Sequence, residues 1–451
     1  MGSETDAVIA TVGVSEPAFL LNFNPNLMKF PILFLILFLP AFLLAQTQIG
    51  NTMSGDADDD EFGTSVAASA DGTRVVVGAP LNDGAGTDAG NVRVFQETAG
   101  IWTQVGATIA GEVVDDQLGT AVAMSADGTR IAVSAPYNDG DGSFNHINSG
   151  YVKILEETAG VWMQVGMNIQ GNGPNNASGQ SLALSPDGTR VLIGDPRYGP
   201  GNDGRARVYQ ENSGVWTQIG TDLLGENFND RFGTAVAISN DGTRLAVGAF
   251  GNDDVASKAG HVRVFQESNG VWNQVGADID GSGFNNQSGS AVAISADGTR
   301  VAIGAPFGGI FIVPDDTPRN VTSFNPPGQV RIFEEVAGSW TQVGNDIYGT
   351  SPSEEFGAAL SLSDDGTVLA VGSPLFNLGQ GRSTIYEETV NGWTQNGSVI
   401  NGSNAQKSGS SIALSANGAR VIVGSPGDAS VPIAGDVRVF GTAIQIGRAH
   451  V

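Results

Sequence analysis

The sequence repeats one segment seven times, and this repetition constrains the fold more than any other feature. Each copy contains a run of small residues, an Asp-Gly turn, an apolar strand ending near Gly-Ala-Pro, a loop, and a strand like Val-Arg-Val-Phe. Successive turns are 52 to 68 residues apart, and their first residues are Asp71, Asp127, Asp187, Asp241, Asp297, Asp365 and Asn417. Four short strands per repeat of this length predict the blades of a β-propeller rather than the coils of a solenoid.

The residues within each repeat indicate how the blades pack. Runs such as Ala235–Ile238 are apolar on both faces, as expected when neighbouring blades cover both sides of a sheet. The Asp-Gly pairs fit hairpin turns in which the glycine adopts a positive φ, so they require no ligand. A tryptophan recurs at one repeat position, which we interpret as a packing element: Trp102, Trp162, Trp216, Trp272, Trp340 and Trp393.

The two ends of the repeated region complement each other. Residues 46–50 match Trp-Thr-Gln-Ile-Gly at 216–220 except at the tryptophan, and they form a fourth strand without a blade of their own. The last repeat, 409–440, lacks a fourth strand. We therefore predict an all-β, seven-bladed β-propeller of four-stranded blades, whose ring is closed by the N-terminal strand.

The N-terminal region predicts export. Met28 and Lys29 precede an apolar run, 30–44, which is shorter than the about 20 residues of a membrane span and is typical of a signal peptide over 28–45. An uncleaved anchor is the alternative. Residues 1–27 are interpreted as a doubtful extension, 46–444 as the propeller without a transmembrane segment, and 445–451 as an artefact that resembles a translated sequencing adapter.

Charge and cysteine content exclude several classes of function. The net charge is −26, which repels phosphate backbones and anionic membranes, so nucleic acid is not expected as a partner. The chain has no cysteine, which excludes disulfides, thiolate metal sites and cysteine nucleophiles.

Two short motifs carry a family resemblance. Phe-Gly stands at Phe62, Phe232 and Phe356, and Gly-Ala-Pro stands at 78–80 and 304–306. These motifs resemble the FG-GAP repeats of integrin α-subunits and bacterial surface proteins, which implies a seven-bladed propeller and an adhesive role. Three repeats carry Ser-Gly instead, at Ser178, Ser288 and Ser408.

The Asp-Gly turn departs from that family. Many FG-GAP repeats have an Asp-x-Asp-x-Asp-Gly calcium loop there, whereas this chain offers one carboxylate per turn, too few for the six to eight oxygens that Ca²⁺ takes. The family's calcium sites are therefore not transferred to this chain. The same turn resembles the Ser-Pro-Asp-Gly of WD-repeat-like propellers, which leaves the pedigree of the fold open between the two.

Comparison of the repeats separates two faces of the predicted disc. The turns between strands one and two and between strands three and four are alike, whereas the other loops vary in length and composition: 137–149, 197–204, 251–259 and 307–328. Variable loops on one face commonly mark the binding face of a repeat protein. The predicted ligand-binding residues lie in these loops: Asp139, Asp141, Asp253, Asp254, Asp315, Asp316 and Arg319.

The remaining charged residues are given structural interpretations. Acidic groups at 56–61, 115–116 and 138–141 suit solvated loops, with calcium as the alternative, so no cofactor is predicted and the identity of any metal stays unknown. Eleven arginines recur at two repeat positions, and we predict that they pair with carboxylates of the blades.

These observations predict a secreted or cell-surface module that binds an extracellular protein or polysaccharide through its variable face. Catalysis is not expected, because His146 and His261 lie in different blades and neither stands in a known metal or triad spacing. A carbohydrate-active enzyme, or a display module for a further C-terminal domain, are the alternatives.

Overall fold

The computed structural model describes residues 46–140, 147–308, 326–403, 405–428 and 431–442. Within these ranges the strands form seven antiparallel sheets, and one short helix, α1 (Phe376–Gly379), lies in a loop. The predicted all-β, seven-bladed propeller is therefore confirmed. The predicted signal peptide and the residues after Thr442 lie outside the described ranges. No helix among the described residues has the length and apolar character needed to cross a membrane.

The strands follow the chain blade by blade. The N-terminal segment contains β1 (Thr47–Gln48) and β2 (Met53–Ser54). Blade 1 contains β3 (Ser65–Ala68), β4 (Arg74–Ala79), β5 (Asn91–Thr98), β6 (Ile101–Gln104) and β7 (Ile109–Ala110). Blade 2 contains β8 (Val122–Met124), β9 (Arg130–Ala135), β10 (Tyr151–Thr158), β11 (Val161–Gln164) and β12 (Ile169–Gln170). Blade 3 contains β13 (Ser181–Leu184), β14 (Arg190–Asp195), β15 (Arg205–Asn212), β16 (Val215–Gln218) and β17 (Leu223–Leu224). Blade 4 contains β18 (Ala235–Ile238), β19 (Arg244–Ala249), β20 (His261–Ser268), β21 (Val271–Gln274) and β22 (Ile279–Asp280). Blade 5 contains β23 (Ala291–Ile294), β24 (Arg300–Ala305), β25 (Gln329–Val336), β26 (Ser339–Gln342) and β27 (Ile347–Tyr348). Blade 6 contains β28 (Ala359–Leu362), β29 (Val368–Ser373), β30 (Arg382–Thr389), β31 (Gly392–Gln395) and β32 (Ile400–Asn401). Blade 7 contains β33 (Ser411–Leu414), β34 (Arg420–Ser425) and β35 (Asp436–Gly441).

The fourth strand of each complete blade is interrupted. In blade 1, β6 pairs with the end of β5 and the short β7 pairs with its beginning, with Asn91 opposite Ala110. Both pieces therefore lie along the same edge of the third strand. The sheets correspond to the predicted four-stranded blades with an outer strand in two parts.

The N-terminal segment supplies the outer strand of blade 7. β1 and β2 both pair with β35, with Thr47 opposite Gly441 and Met53 opposite Val437. The predicted closure of the ring is therefore confirmed, and it covers the edge that β35 would otherwise expose.

The core lies between blades rather than inside any one of them. Val76 and Val94 of blade 1 pack with Val122, Ile131 and Val133 of blade 2 in one buried cluster. The second strands are almost fully buried because neighbouring sheets cover both of their faces, which explains their unbroken apolar sequence.

The two glycine motifs meet at six of the seven contacts between blades, and Ser134 replaces one glycine at the contact of blades 2 and 3. A Cβ built on Gly78 would lie 2.0 Å from the carbonyl oxygen of Gly119 in the next blade, so no side chain fits there. Gly63, which belongs to a Phe-Gly pair, has φ +97°, a conformation that L side chains rarely adopt. The repeated motifs therefore report close approach of the backbones of adjacent blades.

A ring of backbone hydrogen bonds joins the blades at the turns between their first and second strands. The amide of Ala70 donates to Ala126 at 2.8 Å, Ala126 donates to Pro186, and the pattern continues from Asn240 through Ala296, Asp364 and Ala416 back to Ala70. Pro186 has no amide hydrogen, so the ring lacks the bond that would join blades 3 and 4.

The tryptophans link outer strands of adjacent blades. The indole N–H of Trp102 donates to the Ile49 carbonyl at 2.9 Å, and that of Trp162 donates to Val105 at 3.0 Å. Trp216, Trp272 and Trp340 make the equivalent bond. Their interpretation as packing elements is confirmed.

The first arginine series also connects the blades. The Arg74 guanidinium donates to the Gly128 carbonyl and lies 3.1 Å from the Glu157 carboxylate, both in blade 2. The other members of the series make the same contacts with the blade that follows: Arg130, Arg190, Arg244, Arg300 and Arg420. The predicted pairing of these arginines with blade carboxylates is confirmed.

The junction from blade 6 to blade 7 lacks this ion pair. Val368 stands where the arginine stands elsewhere, and Thr442 stands in place of the glutamate. The Thr442 hydroxyl donates to the Gly418 carbonyl at 2.7 Å, which is the equivalent of the carbonyl that the arginine contacts at other junctions.

The turn aspartates are held by their own turns. Asp241 accepts hydrogen bonds from the Ser239 hydroxyl at 2.6 Å and from the Thr243 amide at 2.9 Å. Burial disfavours the charged form, but these hydrogen bonds prevail and lower the pKa of the Asp241 carboxyl. Asn417 accepts the equivalent bonds in blade 7.

We predict that the missing ion pair can be installed. The change Val368→Arg with Thr442→Glu should stabilise the chain relative to the sum of the two single changes by about 0.2–1 kcal/mol, the usual range for exposed pairs. Urea unfolding of the four proteins in a double-mutant cycle measures this coupling, and a coupling of zero would contradict the proposed equivalence of the junctions.

We also predict a pH-dependent contribution from each turn aspartate. The folded-state pKa of Asp241 is lowered, so its contribution is complete above the unfolded pKa and is lost as the pH falls through the folded pKa. The stability difference between the wild type and Asp241→Asn should therefore shrink between pH 6 and pH 3, measured by urea unfolding. Asn417→Asp is the matched control and should gain the same pH dependence; a difference independent of pH would count against this account.

Candidate functional site

The two predicted faces are present in the described part of the ring. The turns that join the first to the second strand and the third to the fourth strand lie at one end of the blades. We call this end the uniform face. The loops that join second to third strands, and the linkers between blades, lie at the opposite end. We call this end the variable face.

The structure describes three of the seven predicted ligand-binding residues. Asp139 lies in the blade 2 loop, and Asp253 and Asp254 lie in the blade 4 loop. Asp141, Asp315, Asp316 and Arg319 lie outside the described residues. The blade 4 loop is therefore the only one in which the described ranges hold two of the predicted residues.

Asp139 and Asp253 have the same local role. The Asp139 carboxylate accepts the Asn148 amide at 3.0 Å, and the Asp253 carboxylate accepts the Lys258 amide at 2.5 Å, so each closes its own loop. Asp254 differs from both, because its two carboxylate oxygens accept the side-chain amides of Asn227 and Asn252. It therefore faces the linker that enters blade 4.

The acidic groups at 56–61 and 115–116 are largely engaged in their own loops. Asp60 accepts hydrogen bonds from the Ala57 amide and the Asn82 side chain, each at 2.9 Å. Asp116 accepts the equivalent bonds from Val113 and Asn138. These contacts give the two carboxylates a structural role.

The residue that begins each third strand changes from blade to blade. These residues lie where the variable face meets the sheets, and most are buried: Asn91, Tyr151, Arg205, His261, Gln329, Arg382 and Asp436. A position that breaks the repeat so consistently is where individual blades can differ in chemistry.

In blade 3 this position completes an ion-pair network. The Arg205 guanidinium, fully buried, donates to Asp195 at 2.7 Å, to Asp222 at 3.0 Å and to Asn172 at 2.6 Å. Its plane also lies over the Tyr198 ring, 3.9 Å from the centroid. The buried charge is thus matched by carboxylates and hydrogen bonds.

In blade 4 the same position holds His261 among carboxylates. One ligand atom from each of Glu226, Asp254, His261 and Asp278 lies within 4.8 Å of all the others. The His261 side chain is fully buried, and its Nδ1 atom is 3.4 Å from Asp278. Neither ring nitrogen has a hydrogen-bond partner in the described part of the chain. We call these four residues the His261 cluster.

A groove lies beside the His261 cluster. It has a volume of about 310 Å³ and is lined by Asn229, Arg231, Phe250, Gly251, Asp253 and Lys258. Two of the lining side chains are cations, although the whole chain carries a net charge of −26. We call it the blade 4 groove.

Two exposed phenylalanines flank the 251–259 loop. Phe228 is 69% exposed and Phe284 is 76% exposed. Each belongs to a linker that hydrogen-bonds to this loop: Gly251 donates to Asp230 at 3.1 Å, and Asn285 donates to Ser257 at 2.8 Å. We call the blade 4 groove, the His261 cluster, Phe228 and Phe284 together the blade 4 sector. It combines apolar rings, cations and carboxylates.

A larger cavity of about 560 Å³ lies on the same face between blades 6 and 7. Leu375, Phe376, Leu378 and Asp428 are among its lining residues. Apart from Asp428 its lining side chains are uncharged, so it offers fewer charged groups than the blade 4 groove.

Two glutamates and one lysine, Glu61, Glu355 and Lys407, stand at one repeat position just before the Phe-Gly or Ser-Gly pair. Burial raises the pKa of the Glu61 and Glu355 carboxyls, and the positive charge of Lys407 opposes that rise in both. Lys407 of blade 7 therefore acts on the carboxylates of both neighbouring blades.

The sequence analysis singled out Asp254 but missed its partners in the cluster. His261 has no recognised metal spacing, because the four residues come from four separate segments of the blade. Its signal in the sequence is its position, since histidine starts a third strand where other repeats carry unrelated residues.

Comparison with known proteins agrees with the architecture. A family model described as FG-GAP repeat matches residues 52–95 and 225–265, which lie in blades 1 and 4. A crystal structure from Bacteroides uniformis, provisionally named a 6-phosphogluconolactonase, superposes with a TM-score of 0.50 and 14% identity, covering 76% of this chain and 86% of that one. That likeness shows the fold alone. No curated protein matches the sequence significantly.

The repeat matches and the seven blades support the same assignment. Phe-Gly and Gly-Ala-Pro occupy contacts between blades, and the same strand order recurs around the ring. The chain therefore contains FG-GAP repeats within a seven-bladed β-propeller fold.

Proposed function

We propose that this propeller is a secreted or cell-surface module that binds a polysaccharide through the blade 4 sector of its variable face. Export rests on the predicted signal peptide at 28–45 and on the extracellular setting typical of FG-GAP repeats. The propeller is a rigid ring, and its long loops can differ between blades without disturbing the core.

The observation that carries this proposal is the pair of exposed phenylalanines beside a charged groove. Large apolar rings that stay exposed on a soluble fold commonly belong to a binding surface. Phe228 and Phe284 lie in the two linkers that hydrogen-bond to the 251–259 loop, and Gly251 of that loop also lines the blade 4 groove.

The groove chemistry favours a sugar chain with acidic groups. Planar rings can stack on the apolar faces of sugars, while Asn229 and Asp253 can bond to hydroxyls. Arg231 and Lys258 supply positive charge for carboxylate or sulfate substituents. An extracellular protein remains the alternative partner.

Binding without catalysis is part of the proposal. A carbohydrate-active enzyme is the rival, and it would use carboxylates such as those of the His261 cluster. Carboxyl groups stand about 6.5–9.5 Å apart in inverting glycosidases and about 5–5.5 Å apart in retaining ones, and the ligand atoms of this cluster lie within 4.8 Å of one another, so an assay for cleavage has to separate the two functions.

We predict that removing both rings weakens polysaccharide binding. The double change Phe228→Ala with Phe284→Ala should reduce affinity for an acidic polysaccharide by roughly tenfold or more, since each tenfold step is about 1.4 kcal/mol. Retention on immobilised polysaccharides, with a reducing-end assay on the flow-through, measures binding and cleavage together.

The control removes an exposed apolar side chain from the uniform face. Val390 is 96% exposed in the turn after β30, and Val390→Ala should leave retention unchanged. New reducing ends would replace the binding proposal with the enzyme. Retention on matrix proteins but on no polysaccharide would assign the face to a protein partner.

A further inference from the structure

We infer that the His261 cluster binds one divalent transition-metal ion, with Glu226, Asp254, His261 and Asp278 as its protein ligands. The inference concerns blade 4 alone and does not depend on the identity of the polysaccharide. It is also separate from the calcium loops of FG-GAP repeats, because those belong to the turns of the uniform face.

The spacing of the ligand atoms fits a single ion. One atom from each of the four residues lies within 4.8 Å of every other. A tetrahedral Zn²⁺ at about 2.0–2.2 Å from nitrogen and oxygen ligands holds those ligands about 3.3–3.6 Å apart, so the four side chains would close in by up to about 1.5 Å on binding.

The histidine is the observation that points to a ligand. Its side chain is fully buried, and both ring nitrogens lack a hydrogen-bond partner among the described residues. A buried polar group without a partner is unfavourable, and native proteins rarely leave one unsatisfied. A metal ion bound by one ring nitrogen satisfies that nitrogen and neutralises the surrounding carboxylates.

Neighbouring side chains already orient the carboxylates. Gln274 donates to one oxygen of Asp278 at 2.6 Å, and the other oxygen is the one that lies near His261. Gln274 in turn accepts a hydrogen bond from Arg263 at 3.0 Å. The same glutamine–aspartate contact recurs in blades 3 and 5, so it belongs to the repeat, and in blade 4 it fixes the direction of Asp278 as outer contacts do in metal sites.

The equivalent positions in blades 3 and 5 show what is distinctive about blade 4. In blade 3, Arg205 donates to Asp222, and in blade 5, Gln329 donates to Asp346 at 2.5 Å. Both aspartates correspond to Asp278. In those blades the side chain at the start of the third strand donates to this aspartate, whereas the His261 ring lies 3.4 Å from Asp278 without a hydrogen bond, which leaves a ring nitrogen for a cation.

The adjacent charges limit the alternatives. Arg263 is 3.6 Å from Glu226 and supplies one positive charge, but three carboxylates surround the histidine. A hydrogen bond from the His261 ring to Asp278 is the competing arrangement, and it would need the 3.4 Å contact to shorten.

The donor set selects the class of metal. Three carboxylates and one imidazole suit Zn²⁺ or Mn²⁺, because imidazole favours first-row transition metals. Calcium takes six to eight oxygen ligands, so the nitrogen of His261 does not suit it. We therefore expect Zn²⁺ to bind more tightly than Ca²⁺.

The test uses the full chain after removal of metal with a chelator. Calorimetric titration with Zn²⁺ should give one bound ion per chain, and the unfolding temperature should rise with Zn²⁺ concentration. His261→Gln, which copies the residue of blade 5, should lower the affinity at least a hundredfold, and Asp278→Asn should lower it at least tenfold.

Asp346→Asn is the matched control. It changes the corresponding aspartate of blade 5 and should leave Zn²⁺ binding unchanged. Circular dichroism of each variant checks folding, and if His261→Gln does not fold, Asp278→Asn carries the test.

Nitrogen NMR of the imidazoles provides an independent readout, because the chain contains three histidines. Zn²⁺ should shift one set of ring signals that is absent in His261→Gln. The inference would be overturned if the chain fails to bind Zn²⁺ or if His261→Gln binds it equally well. It would also be overturned if Zn²⁺ leaves the imidazole nitrogen signals of His261 unchanged. None of these results would bear on Phe228 and Phe284.

Discussion

The contact between one blade and the next is the interaction on which this structure depends. A single four-stranded sheet has two apolar faces, so it gains stability only when a neighbour covers each of them. The approach is close enough that the Gly78 backbone touches the carbonyl of Gly119. Backbone hydrogen bonds, indole N–H groups and arginine side chains then join the same neighbours at successive positions of the repeat.

These contacts explain why so much of the fold could be predicted from the sequence. Each of them favours the same kind of residue at the same position of most blades, so Phe-Gly, Gly-Ala-Pro, the tryptophans and the first arginine series are visible as repeats. The exceptions also agree with one another: where Val368 replaces arginine, Thr442 replaces its glutamate and occupies the free carbonyl. At this junction the two residues that contact each other across the blades are therefore replaced together.

The candidate site was less predictable for the same reason. Its residues differ from blade to blade, so they form no repeated motif that could be recognised in the sequence. Asp254 could be chosen because it lies in a variable loop. Its neighbour Asp253 lies in the same loop and was chosen for the same reason, but its carboxylate closes that loop. His261 belongs to a strand rather than a loop. Only the folded blade brings it next to Glu226 and Asp278.

Closure by the N-terminal strand has a consequence for how the chain is made. Residues 47–54 precede the first blade in the chain, yet their partner, β35, is the third strand of the seventh blade. Until β35 is made, each newly added blade ends in an open edge, and β1 and β2 have no partner strand. Such long-range pairing is slow and leaves sheet edges available to other chains. The closed ring has no unpaired edge at β35, but during assembly the open sheet edges can pair with other chains until β35 has bound β1 and β2.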